Sequence, residues 1–98
     1  MKHVDFVYRA LGGKTIRVCI DAEGSTAKKI VFTGDFFMDP GEALDELNAM
    51  FEETSLGREE AKRRVKEFFA SRKEISLLGA APEDFVEALD KAFQQLEN

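Results

Sequence analysis

The chain has 98 residues, 44% of them apolar and 34% charged, enough for one domain with a buried core and too few for two. Its net charge of −5 argues against broad nucleic-acid binding, which needs a clustered positive field to displace counterions. A single cysteine, Cys19, excludes an internal disulfide and a multi-thiolate zinc or iron–sulfur site within one chain.

No apolar run reaches the roughly 18 residues that span a bilayer. The start, Met-Lys-His-Val-Asp-Phe, does not read as a signal peptide. With the lone thiol, this points to a cytoplasmic protein without membrane contact. Charge is uneven along the chain. Six Lys/Arg face three Asp/Glu up to Gly34, and eight face sixteen from Asp35 onward. Such blocks read as solvated faces.

Val4, Phe6, Tyr8 and Ala10 alternate with other residues, the period of a strand with one buried face. Gly12-Gly13 supplies a turn. Ile16, Val18, Ile20 and Ala22 alternate again, and Asp21-Ala-Glu-Gly-Ser25 reads as a hairpin loop. Ile30 and Phe32 share a face in a third run that ends at Thr33-Gly34. The three runs predict an antiparallel meander, which is stable only when its apolar face is covered.

Helices are expected to cover it. Asp39-Pro-Gly-Glu42 resembles a helix start, with Asp39 as N-cap and Pro40 in the first helical position. Ala43, Leu44, Leu47, Met50 and Phe51 then fall on one face. A second helix opens near Gly57 or Arg58 and places Ala61, Val65, Phe68 and Phe69 on one stripe. Ile75 and Leu77-Leu78 form a short apolar stretch ending at Gly79. A third helix opens at Pro82, with Glu83 and Asp84 where the helix dipole favours acids, and carries Phe85, Leu89, Phe93 and Leu96 on its apolar stripe. Strands first and helices after predict an α+β layer fold. It is a single domain over residues 1–98, a small three-stranded antiparallel meander packed against about three helices.

The residues hold no catalytic set. No Walker loop and no dinucleotide fingerprint occurs. His3, two residues from the start, is expected to be loosely held and a poor general base. The serines lack a histidine partner. Cys19 lies mid-strand on the same side as Arg17, the setting of an inert small hydrophobe more than of a reactive thiol. No catalytic, cofactor-binding or metal residues are assigned.

The unusual segment is Thr33-Gly34-Asp35-Phe36-Phe37-Met38. Gly34 permits a bend, Asp35 can bond nearby backbone N–H groups, and a Phe can enter the core. Two adjacent Phe and a Met in an irregular segment cannot easily all point inward, and exposed aromatics mark contact sites. The residues leave core and interface open for Phe36 and Phe37.

This segment and its surroundings carry a resemblance. Lys14-Thr-Ile-Arg-Val-Cys-Ile20, the turn at Gly24, and Ile30-Val-Phe-Thr-Gly-Asp-Phe-Phe37 resemble the C-terminal accessory domain of lipoate–protein ligases, with its Gly-Asp-Phe-Phe strand end. The likeness continues through Pro40-Gly-Glu42, the helix from Arg58 to Ala70, and Ile75, Gly79 and Pro82-Glu-Asp-Phe85. It covers the chain from about Gly12 onward. Gly57 stands where that family often has a capping acid, which weakens one helix start.

The resemblance implies a small sheet packed on helices, related in shape to iron–sulfur scaffold and sulfur-acceptor proteins. The catalytic ligase domain, with its Arg-Arg-x-x-Gly-Gly stretch, has no counterpart in the sequence. The resemblance therefore implies a split arrangement, with this chain as a non-catalytic accessory subunit and a separate catalytic lipoate–protein ligase subunit as partner. The complex would use ATP, Mg and lipoate to form lipoyl-adenylate, and would serve lipoyl-acceptor proteins indirectly. Gly34, Asp35, Phe36 and Phe37 are expected at the partner interface, with Arg17 beside them. The alternatives are an iron–sulfur scaffold or sulfur-transfer protein on the related fold, and a generic protein-interaction module.

Overall fold

The structure is a computed structural model, and it describes residues 1–97. Strands β1 (Lys2–Arg9), β2 (Thr15–Glu23) and β3 (Thr26–Gly34) come first. They are followed by β4 (Phe37–Asp39), α1 (Glu42–Ala49), α2 (Arg58–Ser71), β5 (Ser76–Leu78) and α3 (Pro82–Glu97). β1, β2 and β3 form the expected antiparallel meander with β2 in the centre.

Alternation sets which face is buried. Ile16, Val18, Ile20 and Ala22 of β2 lose all their accessible surface, as do Ala27, Ile30 and Phe32 of β3. Ala27 and Ile30 are three residues apart, yet both point inward. The register slips between Asp21 and Ala22, so the chain from Ala27 to Lys29 gains one residue over its partner. A bulge of this kind restores the inward phase. Val4, Phe6 and Tyr8 of β1 are partly buried against the same core.

Phe85 of α3 stands at the centre of that core. Its ring lies 5.8 Å from Phe32, 5.0 Å from Phe36 and 5.2 Å from Phe69, within the range of favourable aromatic contacts. α3 therefore joins the sheet to α2, which presents Ala61, Val65, Phe68 and Phe69. Asp84 caps α3 from inside its first turn: its carboxylate accepts from the Ala81 N–H at 2.8 Å, the reverse half of a capping box.

The third strand does not have a free edge. The Asn48 side chain accepts from Phe32 N at 2.8 Å and donates to Phe32 O at 3.0 Å. Ile30 N donates to Phe51 O, and Ala27 bridges to Leu56. The end of α1 and the segment after it thus close an edge that would otherwise invite another strand.

The helix start expected at Asp39-Pro40 is corrected. α1 begins at Glu42 with Gly41 as its N-cap and no side-chain cap, so Asp39 and Pro40 lie before the helix. Asp39 is instead the last residue of β4 and pairs with Ser76. The apolar stretch at Leu77-Leu78 is a strand, β5, antiparallel to β4. His3 is also not loose: it lies within β1, opposite Asp21. Gly57 caps α2 without any side-chain bond, as its missing acid implied.

Candidate functional site

The turn after β3 is built by its first two residues. A Cβ on Gly34 would sit 2.3 Å from Thr15 O and 2.7 Å from the Phe36 ring, so no other residue fits without moving the start of β2. Asp35 then locks the turn to that point. Its Oδ1 accepts from Thr15 N at 2.6 Å and from Thr15 Oγ1 at 3.1 Å, and Asp35 N donates to Thr15 O at 3.3 Å. The Thr15 backbone N–H, with the Thr15 hydroxyl and the Lys14 charge, holds the Asp35 carboxyl below its usual range. Hydrogen bonds to the ionised form have that effect.

Phe36 and Phe37 separate. Phe36 turns into the core and meets Phe85 edge to face. Phe37 starts β4 and is 64% exposed. Its cross-strand neighbour is Leu78, itself 68% exposed. Successive residues of a strand alternate faces, so Met38 and Leu77 pair and are partly buried. A shallow groove runs along Phe37, Met38, Asp39, Ser76, Leu77 and Leu78.

Gly79 fixes this ribbon against the first turn of the chain. A Cβ on Gly12 would lie 2.7 Å from the Gly79 carbonyl carbon, and Lys14 N donates to Gly79 O at 3.2 Å. Gly79 adopts φ of 87°, a conformation that favours glycine. The turn it holds carries Leu11, which is 99% exposed. Phe37 and Leu78 are thus paired, exposed apolar side chains on the β4–β5 ribbon, and Leu11 is a third on the turn that is bonded to the ribbon's end at Gly79. Singly exposed apolar residues are ordinary, but a group of them marks a contact surface.

Of the residues expected at the interface, Gly34 and Asp35 shape the turn and Phe37 is presented. Phe36 supports the turn from inside. Arg17 is not among the residues lining the groove. It lies on the outer face of the sheet and forms a two-pronged pair with Asp5, with Nε 2.7 Å from Oδ1. Leu78 and Leu11 were not expected at the site. The run Leu77-Leu78 was visible as apolar, but its partner strand was not.

No protein-family model matches the chain. The curated protein Lipoate-protein ligase A subunit 2 of Thermoplasma acidophilum is 34% identical over 74 residues, 76% of this chain and 74% of that protein. The chain belongs to the lipoate–protein ligase A subunit 2 family. Its fold agrees with that of a chain solved in the structural analysis of an archaeal lipoylation system, a bi-partite lipoate protein ligase and its E2 lipoyl domain from Thermoplasma acidophilum. The TM-score is 0.74 at 30% identity, covering 90% of this chain and 94% of that one. The α+β architecture of the subunit 2 family is therefore the one the residues predicted. Among the described residues, no helix is long and apolar enough to cross a membrane.

Proposed function

We propose that this chain is the accessory subunit of a two-part lipoate–protein ligase, non-catalytic by itself, supporting ATP-dependent lipoyl-adenylate formation by a separate catalytic subunit. The observation that carries this reading is the 34% identity to a ligase subunit 2 over three quarters of both chains. The shared fold with a chain of a bi-partite ligase supports it. The complex uses ATP, Mg and lipoate, acts in the cytoplasm, and passes the lipoyl group to acceptor proteins.

An accessory domain can assist adenylate formation by physical means alone. Lipoyl-adenylate is a mixed anhydride that water destroys. A domain closing over the nucleotide site excludes that water and holds the reacting groups in place. Such a role needs a rigid body with one adhesive face rather than a nucleophile or base. The turn from Gly34 to Phe37, with Leu78 and Leu11, supplies that face. Phe37 is the anchor, and Gly34, Asp35 and Phe36 hold it in position; Arg17, on the outer face of the sheet and paired with Asp5, is a weaker candidate for a contact away from the groove.

The test is co-purification with the catalytic subunit of the same organism, followed by measurement of lipoate-dependent pyrophosphate release. The complex is expected to release pyrophosphate much faster than either chain. Release by this chain alone, or no effect of adding it, would sink the assignment.

A further inference from the structure

Four side chains of metal-ligand type meet on the outer face of the three-stranded sheet, the face turned away from the core. The ladder between β1 and β2 brings them together: His3 stands opposite Asp21, and Asp5 opposite Cys19. Residues two apart on a strand share a face, so the two cross-strand pairs are neighbours. A ring nitrogen of His3, a carboxylate oxygen of Asp5 and Cys19 Sγ all lie within 4.8 Å of one another. A tetrahedral zinc ion with bonds of about 2.0 to 2.3 Å holds such atoms about 3.3 to 3.7 Å apart, so closure needs about 1 Å of side-chain rotation.

The neighbouring side chains hold two of the ligands in place. Asp21 Oδ1 lies 2.7 Å from His3 Nδ1. An ionised carboxylate only accepts, so Nδ1 carries the hydrogen and Nε2 of the neutral ring keeps its lone pair. A carboxylate behind the imidazole is the usual support of a metal-bound histidine. Arg17 grips Asp5 through two nitrogens. This orients the carboxylate and leaves a further lone pair on each oxygen. Cys19 is half-buried. Its thiol must give up a proton to an arriving ion.

We propose that His3, Asp5 and Cys19 form a binding site for one zinc-class transition-metal ion, with Asp21 holding His3 and water completing the coordination. One imidazole nitrogen, one thiolate sulfur and one carboxylate oxygen suit zinc, cobalt or copper, and not magnesium or calcium. On binding, the Cys19 S–H bond breaks, its proton passes to solvent, and a sulfur–metal bond forms. The ion ties the edge strand β1 to β2, and stabilises the chain because it binds the folded state. The site shares no residue with the groove at Phe37 and does not depend on the ligase assignment.

Cobalt(II) titration of the purified chain, kept reduced by a non-chelating reductant, reads the site directly. One equivalent should bind with a sulfur-to-cobalt charge-transfer band in the near ultraviolet. Cys19→Ser should lose the band, and His3→Gln and Asp21→Asn should each weaken binding about tenfold or more. Zinc should displace the cobalt and raise the melting temperature of the wild type but not of Cys19→Ser, with circular dichroism confirming that each variant is folded. The proposal fails if millimolar cobalt gives no charge-transfer band, or if the band persists in Cys19→Ser. It also fails if His3→Gln and Asp5→Asn both bind like the wild type, which would mark adventitious surface binding.

Discussion

Phe36 and Phe37 are identical in chemistry and adjacent in sequence, and truncating them should have opposite consequences. Phe36 touches Phe85 in the core, so Phe36→Ala should cost about 3 kcal/mol of stability, the lower end for a buried Phe because its site lies at the rim of the core. Phe37 is mostly exposed, so Phe37→Ala should leave the melting temperature nearly unchanged. It should instead weaken assembly with the catalytic subunit by about 2 kcal/mol, the loss of one aromatic anchor. Thermal unfolding and calorimetric binding of both variants check this. Strong destabilisation by Phe37→Ala, or wild-type binding, would remove Phe37 from the interface. Cys19 belongs to the opposite face of the sheet from the core, and Cys19→Ser should leave stimulation of the ligase intact. Loss of stimulation in a folded Cys19→Ser protein would instead favour sulfur chemistry.

Between elements, two ties deserve measurement. Asn48 satisfies both backbone groups of Phe32 on the outer side of β3. Asn48→Ala should cost about 1 to 3 kcal/mol, because a partly buried N–H and C=O lose their partner. It should also expose an edge strand, so self-association should appear at high concentration in sedimentation. The second tie joins α2 to α3. Asp90 accepts from Arg58 Nε at 2.8 Å and pairs with Lys62 Nζ at 2.9 Å. The Arg58 hydrogen bond, with Lys62 behind it, lowers the Asp90 carboxyl from 3.8 to about 2. A depressed carboxyl contributes stability that is full above its unfolded value and is lost as pH falls toward its folded value. Acidification from pH 4 to pH 2 should therefore remove about 1 kcal/mol through this group, after screening at a partly exposed site. Urea unfolding across that range, compared with Asp90→Asn, isolates the contribution. An equal slope in both proteins would dismiss it.

For the whole molecule, the accessory role separates the two chemical steps of lipoylation. A domain that shields the adenylation site should raise pyrophosphate release strongly. It should raise transfer from preformed lipoyl-adenylate to the acceptor lysine much less. Single-turnover assays started at each stage measure the two rates. Equal stimulation of both would mean that the subunit acts on acceptor binding or on the stability of its partner. The outer face of the sheet carries His3, Asp5, Arg17, Cys19 and Asp21, while the groove at Phe37 lies on the separate β4–β5 ribbon. Variants of one face can therefore be tested without cutting the other.

The meander and the three apolar helix stripes were legible in the sequence because each rests on local periodicity. Alternation along β2 and the spacing of Phe85, Leu89, Phe93 and Leu96 on α3 needed no knowledge of their neighbours. The bend at Gly34 and the backbone bonding by Asp35 were legible too, since a glycine followed by a short acid at a strand end favours a turn. Three features required the tertiary structure. β4 and β5 are three residues each, too short for a period, and they exist because the intervening chain, with its two helices, brings Phe37 and Leu78 into register. Pro40 and Asp39 matched a helix start, but pairing with β5 claimed Asp39 first. The division between Phe36, in the bend before β4, and Phe37, in β4, and the meeting of His3, Asp5 and Cys19, follow from how the strands pair. That pairing is between residues distant in the chain, which local sequence does not encode.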